Sequence, residues 1–149
     1  MEKKIEKVFI DEGFGFKVRL LNVPMVKVRG QWTPNINYSE LAEVVLHALA
    51  HKPSRLTGAE IHFLRQHFGM TLQAFAERFC VSHPAVLKWE KAGTKPTAMN
   101  WATEKDIRLS ILARLGADAK LVAALYTGLE REARRTSFPV EVDATLVAA

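Results

Sequence analysis

The stretch that decides the fold runs Leu56-Thr-Gly-Ala-Glu-Ile-His-Phe-Leu-Arg65, then Met70-Thr-Leu-Gln-Ala-Phe-Ala-Glu-Arg-Phe79, then Cys80-Val-Ser-His-Pro-Ala-Val-Leu-Lys-Trp-Glu90. It divides into three short amphipathic segments, each opened by a Thr or Ser, with almost no spacer between them. Thr57-x-x-Glu60 has the capping-box pattern, in which hydroxyl and carboxylate reciprocally satisfy backbone donors at a helix start. Thr71 and Ser82 are expected to cap the next two helices. Ile61, Phe63, Leu64 and Phe68 include the core-facing positions of the first helix, Leu72, Phe75, Ala76 and Phe79 are available to the core, and Val86 and Trp89 point inward. Gly69 ends the first helix, and Thr94-Lys95-Pro96-Thr97 forms a turn after the third. A short third helix with a polar N-terminus, braced by two others, has the shape that enters a DNA major groove.

Upstream, Lys7–Ile10, Phe16–Leu21 and Met25–Arg29 are rich in β-branched and aromatic residues, and Gly13, Gly15, Asn22-Val-Pro24 and Gly30 separate them. They read as a three-stranded antiparallel meander, marginal alone and expected to pack on a helix or a second subunit. Ser39 opens a helix to about Lys52, and Pro53-Ser54 forms the joint. Downstream, a helix from Met99 or Thr103 runs to Leu115, with a capping pattern in Thr103-x-x-Asp106. Gly116 breaks it, and Asp118 caps a last helix to about Arg135. The alternating portion of 138–147 fits either a short strand or a frayed end. The expected fold class is mainly α with a small β-rich N-terminal module. The expected pieces are a strand-rich module with its helix at 1–53, a helix-turn-helix bundle at 54–116, and a C-terminal helix and tail at 117–149.

The chain has 149 residues, enough to bury a core without staples, and one cysteine, which fits a reducing compartment. It has no apolar run long enough to span a membrane, and its charged N-terminus lacks the apolar core of a secretory signal, so a cytoplasmic protein is expected. The net charge of +5 is unevenly spread: +2 over residues 1–53, +4 over 54–114 and −1 over 115–149. A basic bias on the helix-turn-helix segment supports phosphate contact.

Residues 57–96 resemble the XRE (lambda-repressor-like, Cro/C1) helix-turn-helix family. Through Leu56–Arg65 and Val86-Leu-Lys-Trp-Glu90 the closest flavour is that of antitoxins similar to MqsA and HigA. The resemblance implies that Thr71 and Gln73 meet the DNA backbone, with Leu72 standing where the family commonly has Gln. It implies that Ser82, His83, Pro84 and Ala85 open the recognition helix, with Lys88 one turn on, and that Thr94 and Lys95 touch phosphate again. It also implies an Arg65–Glu90 pair joining the first helix to the third, and Cys80 where the family often has Gly in the tight turn. Pro84 and Ala85 make only apolar contact, for which a thymine methyl is the natural target. The implied partners are double-stranded palindromic operator DNA, a second copy of the chain, and a small toxin protein. A stand-alone regulator without a toxin is the alternative. The helices at 99–115 and 118–135 are the expected dimer surface.

The zinc-binding cysteine pairs of MqsA-type antitoxins are missing, so no metal and no cofactor is expected. His47-x-x-x-His51 has a metal-compatible spacing but no companion ligands, and reads as a surface or packed pair. Trp89 reads as core, Cys80 as a small buried residue, and Lys3, Lys4 and Lys7 as a solvated end. Asp11-Glu12 reads as a solvated turn. With no Ser-His-Asp set, phosphate loop or paired carboxylates in a pocket, catalysis is not expected.

Overall fold

The computed structural model describes residues 1–134 and 138–149. The chain folds as two compact units: residues 1–48 with 139–149, and residues 49–138. This division differs from the expected pieces in two places. The first boundary falls inside a helix, and the segment 117–149 is split between the units.

The first unit holds strands β1 (Lys3–Asp11), β2 (Val18–Val28), β3 (Gln31–Pro34) and β4 (Val140–Asp143), and most of helix α1 (Tyr38–Ala50). β2 is the centre. β1 pairs antiparallel along one edge of it; on the other edge β3 pairs antiparallel with residues 25–28 and β4 pairs parallel with residues 18–21. The two strands expected at 16–21 and 25–29 are therefore one, and the third strand lies at 31–34.

The reason is Asn22, which takes a left-handed φ of 55° and changes the phase of the strand. Val18 and Leu20 are buried before it, Val23 and Met25 after it, so the alternation read as two strands is a single strand with a kink. Pro24 is tolerated because its carbonyl faces the β3 side, accepting from the Asn35 amide at 2.7 Å. On that side the Asn35 carbonyl takes the Ala149 amide at 3.0 Å instead, so the N–H that Pro24 lacks leaves no acceptor unpaired. Arg29 and Gly30, both at positive φ, make the tight turn into β3.

Two further readings are corrected in this unit, the cap of α1 and the exposure of Asp11. Asn37 Oδ1, not Ser39, opens α1 by accepting from the Ser39 and Glu40 amides at 3.0 and 3.2 Å. Lys3, Lys4 and Lys7 are exposed, as read, and lie on β1. Asp11 is buried and accepts from the Gly13 amide at 3.1 Å. Tyr38 has its pKa raised by burial and by the Asp11 carboxylate. Of the two readings of the tail the strand holds for Val140–Asp143, a 3-10 turn follows at Ala144–Val147, and Val140, Val142 and Val147 are buried.

The second unit holds α2 (Gly58–His67), α3 (Leu72–Arg78), α4 (His83–Lys91), α5 (Trp101–Arg114) and α6 (Ala119–Gly128). Thr57, Thr71, Ser82 and Asp118 cap their helices. α5 is capped by Asn100, one residue before the helix, and Thr103 sits inside it. α6 ends at Gly128, short of the expected end near Arg135, which lies outside the described residues. Leu56, Ile61, Leu64, Phe75, Val86, Ile107, Ile111 and Leu112 are fully buried and form the core.

Ionic groups are buried with them. Lys52 Nζ donates to both oxygens of Glu60 at 2.8 and 2.9 Å. Glu104 receives Arg55 Nε at 2.8 Å and Arg108 Nε and Nη2 at 3.0 and 2.8 Å. Arg108 also donates to the carbonyl oxygens of Lys52 and Ser54, so α5 holds the connector that leads into α2. Burial pulls the Arg108 pKa down against the favourable pull of Glu104. No pattern of residues marks these charges as interior.

Candidate nucleic-acid interface

α2 and α3 both pack against α4, leaving one long side of α4 outward. Val86 and Trp89 are the buried residues of α4. His83, Pro84, Leu87, Lys88 and Lys91 are all exposed. At 100° per residue these five positions fall within an arc of about 140°, a single outward stripe. Lys91 sits near its middle, and Leu87, between His83 and Lys91, is 39% exposed. Leu87 and Lys91 were missed in the sequence, although the helical spacing from Val86 and Trp89 already points them outward.

Ser82 Oγ accepts from the Ala85 amide at 3.2 Å, which leaves the hydroxyl proton available to an outside acceptor. Ala85 is half-buried on the flank of the stripe. Pro84 occupies the first turn, where its missing N–H costs nothing. On α3, Thr71 Oγ1 accepts from the Ala74 amide at 3.0 Å, and the exposed Gln73 reaches Glu77 at 3.3 Å. Lys95 is exposed beyond α4, and its carbonyl accepts from the Gly58 amide at 3.2 Å.

The helices are set by three local devices. Arg65 donates to Glu90 in a two-pronged pair, Nε to Oε2 at 2.7 Å and Nη2 to Oε1 at 2.9 Å, with Nη1 on the Met70 carbonyl at 3.1 Å. His62 Nδ1 contacts the same Glu90 oxygen. Burial pushes the Glu90 pKa up, but the hydrogen bonds from Arg65 and His62 outweigh it and hold the carboxyl below its ordinary value. Gly58 is the second device: a Cβ there would stand 2.4 Å from the Trp89 carbonyl oxygen and 2.7 Å from the Gly93 amide nitrogen. That close approach carries the Ala59 amide to the Gly93 carbonyl at 2.8 Å. The third is Cys80, which takes φ 57° in the α3–α4 turn; contrary to expectation it is exposed, because that turn lies on the surface.

The charge follows the units. Residues 49–138 carry fourteen Lys/Arg against eight Asp/Glu, net +6, and the strand unit seven against eight, net −1. The whole basic excess thus belongs to the unit that holds α4. Among the described residues no group of three His, Cys, Asp or Glu side chains is placed to hold a metal, and no helix is long and apolar enough to cross a membrane.

Residues 61–102 match the helix-turn-helix family model, of the XRE type. That match supports a DNA-binding transcription regulator. No curated protein and no solved structure matches the chain.

Proposed function

We propose that the chain is a sequence-specific repressor that reads double-stranded DNA with the outward stripe of α4. The observation that carries this reading is the stripe itself, two lysines beside an apolar pair on a capped helix in a unit of net charge +6. Lys88 and Lys91 supply charge for phosphate or guanine, and His83 and Ser82 supply hydrogen bonds. Pro84 and Leu87, with Ala85 at the flank, offer carbon surface to thymine methyls. Thr71, Gln73 and Lys95 contact the backbone on either side and fix the docking register. One short helix specifies few base pairs, so two copies act on half-sites about one helical turn apart. Repression follows from occupying the operator.

The resemblance of Leu56–Arg65 and Val86–Glu90 to MqsA- and HigA-like antitoxins supports a finer assignment. The chain is the autoregulating antitoxin of a type II toxin–antitoxin pair, and the DNA it binds lies upstream of its own reading frame. A mobility-shift assay on that upstream duplex tests the DNA role. The full chain retards it and His83→Ala with Lys88→Ala abolishes retardation; equal retardation by the variant sinks the α4 assignment. Thymine-to-uracil replacement at the contacted steps weakens binding about fourfold per methyl, from about 0.8 kcal/mol per buried carbon group. Co-purification with the product of the adjacent frame tests the antitoxin role, and a frame whose product neither binds nor harms cells makes the chain a stand-alone regulator.

A further inference from the structure

We propose that the outer face of the four-stranded sheet is the surface on which two copies of this chain pair. Strand register fixes which side chains share that face. Ile10 lies beside Arg19, Val8 beside Leu21, Ile5 beside Pro24 and Lys3 beside Val26. Val26 and Val28 continue the face beside Thr33 and Gln31 of β3. The core side of the same sheet takes Val18, Leu20, Val23 and Met25. Outward, Ile5 is 64% exposed, Val8 42%, Ile10 46% and Val28 44%, and Leu21 and Val26 are half-exposed between them. A half-solvated sheet ordinarily alternates polar residues onto this side. Here β1 and β2 bring branched aliphatic residues to it, while Lys3, Arg19 and the β4 residues Glu141 and Asp143, which lie beside Arg19 and Leu21, form a charged rim.

The occupant follows from shape, area and charge. β-Branched side chains on a pleat make a flat surface, and another flat sheet packs on it at about 10 Å. With about 3.3 Å per residue and about 4.8 Å between strands, the face measures roughly 30 by 15 Å. Two copies therefore cover about 900 Å² of plane, and more once the pleat is counted, near the lower size of a specific dimer. The strand unit has net charge −1, so two of them meet without the repulsion that two units of net charge +6 would feel. Pairing through the free edge of β1 is disfavoured by Lys3, Lys4 and Lys7, all exposed along it.

This assignment rests on the two-copy reading of DNA binding only for its purpose. The pairing itself is read without DNA, so its failure and that of the DNA role are separable. Light scattering on the full chain gives twice the chain mass at micromolar concentration. Val8→Lys with Ile10→Glu returns it to the single-chain mass with unchanged circular dichroism, and Leu121→Lys on the exposed face of α6 leaves the dimer intact. In the unaltered protein, hydroxyl-radical labelling of Ile5, Ile10 and Val28 falls at least threefold as concentration rises through the dimer transition. A single-chain mass at every concentration overturns the proposal and leaves the face to a different protein. A dimer that survives the sheet variants, is lost with Leu121→Lys, or forms with no change in labelling also overturns it.

Discussion

A methyl group on Gly58 would stand inside the contact distance of the Trp89 and Glu90 carbonyl oxygens, at 2.4 and 2.8 Å, both of them backbone that has no rotamer to yield. Gly58→Ala is therefore expected to separate the start of α2 from the end of α4 at a cost of about 1–3 kcal/mol, seen as a lower midpoint in urea. An unchanged midpoint would show that α4 is positioned some other way. Glu90 works beside it. Its carboxyl is held below the ordinary 4.5, so the folded protein binds fewer protons than the unfolded chain in acid. That stabilisation is complete at neutral pH and is lost as the pH falls below the usual carboxylate range and through the lowered value. Glu90→Gln should cost about 1.5–3 kcal/mol at pH 7 and much less at pH 3, measured by denaturant titration at both. A pH-independent difference would contradict the charged pairing with Arg65 and His62. The capping box at Thr57 was legible because both partners lie within one turn. The need for glycine next to it was not, because its cause is backbone that arrives from the far end of α4.

Arg108 shows how an element is held rather than a residue. Its guanidinium ties α5 to the carbonyl oxygens of Lys52 and Ser54 while pairing with Glu104, and it is fully buried. Removing it leaves the buried Glu104 carboxylate with only Arg55 and the Leu56 amide, so Arg108→Met is expected to destabilise the helical unit by about 3–5 kcal/mol in calorimetry. A loss below 1 kcal/mol would mean the connector is held by packing alone. In the sequence Glu104 and Arg108 are four apart on a helix, a spacing shared by countless exposed ion pairs. Nothing in it distinguishes an interior pair from a surface one. Thr103 misled for a related reason: the cap-like spacing to Asp106 is real, but Asn100 caps earlier, so the pattern falls mid-helix. β2 was divided because a change of phase at Asn22 looks, in a string of letters, like a break between strands.

Across the whole molecule the tail returns to the first strands, a pairing no local pattern announces. Val140, Val142 and Val147 are buried with the strand unit, and the tail exchanges hydrogen bonds with the segment before α1, Asn37 amide to Val147 carbonyl at 2.8 Å and Ala149 amide to Asn35 carbonyl at 3.0 Å. Each such valine contributes about 1.5–3 kcal/mol when fully buried. Deleting residues 139–149 should speed amide exchange at Val18–Leu21 by orders of magnitude while α2–α5 keep their protection. Unchanged exchange at β2 would make the tail dispensable. The caps of α2–α4, their deepest core positions and the basic bias were readable from one segment of sequence, although Phe63, Phe68 and Leu72 turn out only half-buried. The closure of the sheet and the segregation of charge, +6 against −1, required knowing which distant residues share a unit.

Whether α4 reads DNA sequence is decided by one titration. Fluorescence anisotropy of the full chain is followed on a duplex enriched from a random library and on its shuffled counterpart, across a salt series. The enriched duplex should bind about 10³-fold or more tightly than the shuffled one, with affinity falling steeply with salt. Lys95→Ala should lower the salt slope by about 1 on both duplexes, while His83→Ala with Leu87→Ala should erase the preference and leave non-specific binding in place. Equal affinity for the two duplexes, or a preference that survives the α4 substitutions, would contradict sequence reading by α4.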